Sequence, residues 1–328
     1  MVFILTRAAA STRQHLDVNW QVNNTMRTQK YEMMRSALTS LLMDPTPSDS
    51  QLGLSREFVH GLLSVPDVST NERIIDQSVD DKLYRKLKGL PERPFYIEIM
   101  RRLQIIRDHK VNNLTLTGTD MEENNIMFLP AAHFRMTEFK MIDSLIPPIN
   151  SLSSVQECSN WLRQAGEKGI LALLGMRRTV GTASIISSND NAFESYLLPP
   201  SSRELLDASC KLHKPNTKSS LTVGARALTK HADRGQSRFY GNIQGSESAK
   251  NEHAEQIVKE LIQKAAWINI HNFGGTEASR PVVEVRTEEG YGARWSALWI
   301  DAFTPVDVTF RGFLEPQMED GHEKRWRH

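Results

Sequence analysis

The tightest constraint in this chain is a change of period at residue 266. Upstream of it, Ala254, Ile257, Val258, Leu261, Ile262 and Ala265 recur at three- and four-residue spacing, an uninterrupted apolar face that only a helix presents. Directly downstream, Trp267–Phe273 (WINIHNF) alternates, with Trp267, Asn269 and His271 on one side and Ile268 and Ile270 on the other, which is the period of a strand. Pro281–Thr287 alternates again, with Val283 and Val285 expected inward and Glu284 and Arg286 outward. Val306–Phe310 reads as a third strand, reached through an apolar connection, Ala297–Pro305. A further helix at Leu221–Lys230 precedes all of these. Helices followed by successive strands predict an α+β fold whose C-terminal helices pack on a small, largely antiparallel sheet.

The rest of the chain divides into a mainly helical N-terminal part and a mixed middle. Residues 1–20 form a leader or tail, 21–110 a helical region, 111–215 a mixed α/β region and 216–328 the C-terminal α+β domain, with the boundary in the polar run PNTKSS. In the helical region Tyr31, Met34, Leu38, Leu41 and Leu42 share one face, Ser55 caps a short helix, and Pro94 opens another. That last helix carries Phe95, Ile99, Leu103 and Ile106 inward. Its other side bears Arg101, Arg102, Arg107 and Lys110, a basic C-terminal half that the helix dipole accounts for. In the middle region two strands are expected between Val111 and Leu129. Ser154 with Glu157, and Ser201 with Glu204, are capping-box patterns, and Gly166 is placed as a left-handed stop. Ile170–Leu174 and Thr182–Ser187 read as a hairpin that carries Arg177 and Arg178 at its turn.

Composition narrows the partners. Forty basic and 39 acidic residues leave a net charge of +1, so any contact with nucleic acid must come from a local patch. The two cysteines, Cys158 and Cys210, lie far apart in predicted helices; they form no disulfide framework and suit a reducing, intracellular compartment. With no HExxH, HxH or CxxC, neither a metal nor another cofactor is expected. No apolar run has the length of a membrane span, so no membrane partner is expected. The acid-poor start, with Arg7 and Arg13 before Asp17, admits a mitochondrial presequence; the alternative locations are cytoplasmic or nuclear.

No motif names a reaction, and the functional reading rests on the loop His231–Gly245 (HADRGQSRFYGNIQG). Its glycines precede a helix opening at Ser246, whose first N–H groups attract an anion. Arg234, Arg238 and Lys250 supply charge, and Phe239 and Tyr240 offer rings to a base. In GYGARW, Tyr291, Arg294 and Trp295 repeat the combination. The leading expectation is therefore RNA, a nucleotide or another phosphate-bearing ligand bound by the C-terminal domain. A second reading is a hydrolase or phosphotransferase in which His231 and Asp233 are the acid–base pair, joined by His253 or His271, and Arg234 or Arg294 stabilises an anion. A third is a non-catalytic scaffold that engages a protein partner through its N-terminal helices. Purely structural roles compete at several positions: His231 at a helix C-terminus, Gly235 and Gly245 as helix stop and start, and Trp295 as the core residue of a bulged strand.

Overall fold

A computed structural model describes residues 28–43, 54–65, 89–112, 152–187, 196–232, 239–272 and 280–316. Within them run helix α1 (28–43), α2 (Arg56–Leu63), α3 (Phe95–Asn112), α4 (Val155–Leu173), strand β1 (Met176–Arg177), α5 (Val180–Ser187), α6 (Ser202–Cys210), α7 (Val223–Ala232) and α8 (Glu247–Gln263). Four strands follow: β2 (Trp267–His271), β3 (Val282–Arg286), β4 (Gly292–Trp299) and β5 (Pro305–Leu314). The sheet order is β1-β2-β3-β4-β5; β1 joins β2 in parallel and every other pairing is antiparallel. This is the expected α+β class. Among the described residues no helix is long and apolar enough to cross a membrane.

Local chemistry sets most helix starts. The hydroxyls of Ser55, Ser154, Ser201 and Ser246 accept the N–H groups of Phe58, Glu157, Glu204 and Ala249 respectively, and Ser201 with Glu204 completes a reciprocal capping box. Gly166 does leave helical geometry (φ +58°), but the chain resumes a helix after it. The hairpin expected from Ile170 to Ser187 is therefore replaced. Ile170–Leu173 finish α4, Met176–Arg177 form the two-residue strand β1, and Val180–Ser187 are α5. A short buried aliphatic run satisfies helix and strand equally, so its period could not decide. The apolar connection expected at Ala297–Pro305 is also corrected, because its first residues complete strand β4.

One face of the sheet is apolar. Ile268, Ile270, Val283, Val285, Ala293, Trp295 and Phe313 join Leu205, Leu228, Val258 and Leu261 of α6–α8 in a single core. The same core continues through Met34, Phe58, Ile99 and Leu162 of α1–α4, and so runs across residues 215–216 without interruption.

The arginine side of α3 is not a solvated face. Arg102 and Arg107 are buried at 2% and 8% exposure. Glu98 accepts hydrogen bonds from Arg101 and Arg102, and Arg102 also donates to Leu173 O (3.2 Å) and Gly89 O (2.9 Å). Gly89 and Leu90 donate in turn to Ala265 O and Ile262 O at the end of α8. Burial alone would raise the Glu98 carboxyl, but the adjacent Arg102 and Arg101 outweigh it and hold the group below its ordinary value. Breaking a buried pair strands the other charge. Glu98→Ala should therefore cost about 3–5 kcal/mol in urea denaturation, and more than Arg101→Ala, which removes the partly exposed partner of the same carboxylate.

Candidate active face of the central sheet

The face of the sheet turned away from α6–α8 carries polar side chains in register. Asn269 pairs with Glu284 and Glu284 with Arg294, so three neighbouring strands present these residues side by side. One step along, Trp267 pairs with Arg286 and Arg286 with Gly292. The expectation that Glu284 and Arg286 point away from the apolar core holds, but they do not reach water. Their exposures are 3% and 0%.

Glu284 is the hub. Its Oε1 accepts a hydrogen bond from Arg286 Nε and its Oε2 one from Arg294 Nε (2.8 Å), with His271 Nε2 at 3.6 Å from the same Oε2. Burial by itself would raise this carboxyl. His271 and the two guanidinium groups outweigh the loss of solvent and hold Glu284 far below the usual carboxylate range. His271 Nδ1 lies 3.1 Å from Asn272 O. A carbonyl only accepts, so Nδ1 donates to it, and Nε2 faces the Glu284 carboxylate. Arg286 Nη1 donates to Gly290 O (2.6 Å) and Glu315 O (2.8 Å). Asn269 Oδ1 accepts from the Thr182 hydroxyl (2.9 Å), which ties α5 to the same row. Of the ionic group, Arg294 is the most exposed member at 19%.

A second polar centre lies at the far end of β5. His231 closes α7, as expected, and its Nδ1 is 3.5 Å from Glu315 Oε1. Its ring meets Tyr240 and Phe313 edge-on. Tyr240 is 3% exposed and donates its hydroxyl to Leu314 O (2.6 Å), and burial pushes its phenol far above the usual value. Phe239, 38% exposed, stacks on Tyr291 with centroids 3.8 Å apart. His253 donates from Nε2 to Tyr240 O (2.8 Å) and so fixes the entry to α8.

The residues singled out from the sequence therefore separate. His231, Tyr240 and Tyr291 gather in this aromatic cluster. Arg294 stands on the polar sheet face bound to Glu284, with His271 in the same network. Trp295 is fully buried between sheet and helices, and its indole N–H donates to Leu205 O (2.9 Å), so no ring face is open to a base. Lys250 lies in the first turns of α8. The start of that helix is occupied from within the chain: Ser246 caps it, and Glu247 in its first turn takes hydrogen bonds from Ser219 and Ser220. Asp233, Arg234, Gly235 and Arg238 lie outside the described residues, as do the leader, the C-terminal tail and the strands expected between Val111 and Leu129, except that Val111 and Asn112 finish α3. Glu284, Arg286, Asn269 and Glu315 were not singled out. The available signal was that three successive strand segments all carry charged or amide residues on the same side. Among the described residues, no three His, Cys, Asp or Glu side chains gather as a metal site requires.

The depressed Glu284 carboxyl links stability to pH. Unfolded, it titrates at about 4.3; folded, it stays ionised to lower pH. Its contribution is complete above the unfolded value and is lost as pH falls from there through the folded value. The wild-type urea midpoint should fall on acidification below about pH 5, and Glu284→Gln should show a smaller fall from a lower starting midpoint.

Residues 212–315 match the family of CdiA C-terminal tRNase toxin domains. The match covers about a third of the chain and includes α7, α8 and β2–β5, with His231, His271, Glu284, Arg286, Arg294 and Glu315 inside it. No curated protein and no solved structure matches the chain.

Proposed function

We propose that the C-terminal part of this chain cleaves RNA, with tRNA as the substrate class, at the His271–Glu284–Arg294 face. The observation that carries this reading is the ionised, buried Glu284 held between His271 and Arg294 inside the stretch similar to tRNase toxin domains. RNA supplies its own nucleophile, the 2′-hydroxyl, which attacks the adjacent phosphorus as the 5′-oxygen leaves. Three things are then required of the protein: a group to take the 2′-proton, a group to protonate the leaving oxygen, and positive charge for the dianionic transition state. His271 takes the 2′-proton and hands a proton to the leaving 5′-oxygen. Glu284, too weak a base to compete, lies beside the imidazole and balances the charge that it gains on taking a proton. Arg294 is the cation nearest the solvent side.

Residues expected from the sequence keep supporting parts in this proposal. Arg294 retains its role as anion stabiliser. The exposed Phe239 ring, stacked on Tyr291, can take a base on its outer face. Lys250, with Arg234 and Arg238 of the loop, supplies cationic contacts to the strand, and Asp233 stays with His231 as the alternative acid–base pair. The nearness of His231 to Glu315 is the observation that favours that alternative.

The test is total tRNA incubated with the full chain. Cleavage should leave 2′,3′-cyclic phosphate and 5′-hydroxyl ends, and a 2′-deoxy substitution at the cleaved position should block it. His271→Ala should slow cleavage by about 10²–10⁴-fold and Arg294→Ala by about 10²–10³-fold, while His231→Ala retains most activity. The reverse pattern, with His231 essential and His271 dispensable, would move the centre to the end of β5.

A further inference from the structure

Helix α5 lies outside residues 212–315, yet it packs on β2, the strand that ends in His271. Its second residue is Gly181, a poor helix former, and the backbone there does not take a positive φ. Conformation therefore does not call for glycine at this position. Space does. A Cβ at residue 181 would lie 2.9 Å from Asn272 O, 3.2 Å from His271 Cβ and 3.6 Å from His271 Nδ1. The first of these is a backbone atom, nearer than a Cβ and a carbonyl oxygen approach one another.

That close approach falls on one hydrogen bond. Asn272 O accepts from His271 Nδ1 (3.1 Å), and Asn272 N donates to Gly181 O (3.1 Å). Gly181 thus holds Asn272 by its N–H and leaves room for its carbonyl. With Nδ1 on that carbonyl, Nε2 is turned toward Glu284 Oε2 (3.6 Å). The outer torsion of a histidine is broad, so the ring keeps one orientation only where its nitrogens meet fixed partners.

The first turn of α5 is itself fastened to the strand. Thr182 Oγ1 donates to Asn269 Oδ1 (2.9 Å), and Asn269 Nδ2 donates to Thr179 Oγ1 (3.4 Å). The hydroxyls of Thr179 and Thr182 each accept the other's backbone N–H. Asn269 and His271 are two residues apart on β2 and share a face. The helix is therefore pinned at Asn269 and at Asn272, on both sides of His271.

We infer that the first turn of α5, through the bare Cα of Gly181, is the positioning element that sets the His271 imidazole for proton transfer in RNA cleavage. The inference rests on the RNA-cleaving reading and deepens it: part of the geometry of the site comes from a segment that the tRNase-like stretch does not include. A methyl group at residue 181 must push the Asn272 carbonyl aside, lengthen the Nδ1 hydrogen bond and release the ring from Glu284. Contacts with RNA are untouched, so the loss should fall on kcat and leave KM unchanged. A merely structural role would lower the folded fraction but leave kcat per folded molecule and the state of the ring as they are.

The experiment compares the wild-type full chain with Gly181→Ala and with Ala183→Ser, at an exposed position of the same helix, on total tRNA. Gly181→Ala should lower kcat by about 10–100-fold at unchanged KM, and Ala183→Ser should match the wild type. A second readout needs no activity. The ring-nitrogen NMR signals of His271, assigned by their loss in His271→Ala, report which nitrogen carries the hydrogen. In the wild type the neutral ring should carry it on Nδ1, and in Gly181→Ala that preference should be lost. Wild-type kcat in Gly181→Ala overturns the inference, whether or not the ring signals move, and leaves the cleavage reading standing. A fall in kcat with the ring signals unmoved overturns it as well, because the loss then arises elsewhere. A wild-type chain that leaves tRNA intact overturns the cleavage reading, and the ring signals alone then decide whether Gly181 orients His271. Should Gly181→Ala fail to fold, Thr182→Val, which takes the hydroxyl from Asn269 without adding volume, carries the test. A lower kcat at unchanged KM with a weakened Nδ1 preference supports the positioning role, and wild-type values of both reject it.

Discussion

A single buried carboxylate, Glu284, governs the polar half of the central sheet. It sits on β3 between two strands that each bring it a nitrogen-bearing side chain, Arg294 from β4 and His271 from β2, while Arg286 reaches it along its own strand. Moving such a group out of water costs several kcal/mol unless every partner is in place. The arrangement therefore also fixes register. A slip of one residue between β2, β3 and β4 would turn Glu284, Arg286 and Arg294 into the apolar core against α6–α8, and Val283, Val285 and Trp295 out of it. What specifies the pairing of the strands is thus the same ionic group on which the proposed site is built.

Support for that face comes from far along the chain. Glu98 holds Arg102 inside α3, and Arg102 takes the carbonyl of Leu173 at the last turn of α4, two residues before Gly175 accepts from Ile268 N. The N-terminal helices therefore position β1, and Thr182 then pins α5 to Asn269. A helical region that looks separable by its pattern is in physical terms the mount for the edge strand. That is why the core continues from α1 to β5 instead of closing in two parts.

Local signals in the sequence were dependable where the physics is local. Serine caps, the stripe of α8, the inward faces of α1 and α3 and the strand beginning at Trp267 all follow from contacts within a few residues. The polar face was only half legible. Alternation says that Glu284 and Arg286 leave the apolar side, but it is silent on what waits on the other side, and three strands must assemble before a buried ionic network exists. Arg102 was misjudged for the same reason, since its acceptors are carbonyls 71 and 13 residues distant. Trp295 and Tyr240 have the composition of ligand-stacking residues. Only the fold shows that the indole and phenol groups are spent on backbone carbonyls inside the core.

The glycines of GYGARW mark a close approach, as their spacing suggested, but the group approached is part of the chain itself. A Cβ on Gly292 would lie 2.1 Å from Val285 O and 2.9 Å from Arg286 Cγ. Gly290 takes a φ of +90°, and its carbonyl accepts from Arg286 Nη1. Both positions therefore exist to let Arg286 lie flat across the sheet, with Glu284 at its Nε and the carbonyl of Glu315 at its Nη1. Arg286 thereby joins the two histidine–carboxylate centres, since Glu284 faces His271 and Glu315 faces His231. An arginine with no exposure cannot meet a substrate directly. Its contribution is to hold the backbone of Glu315 and the side chain of Glu284 in one rigid frame, so the His231 end and the His271 end of the sheet share a single mechanical support.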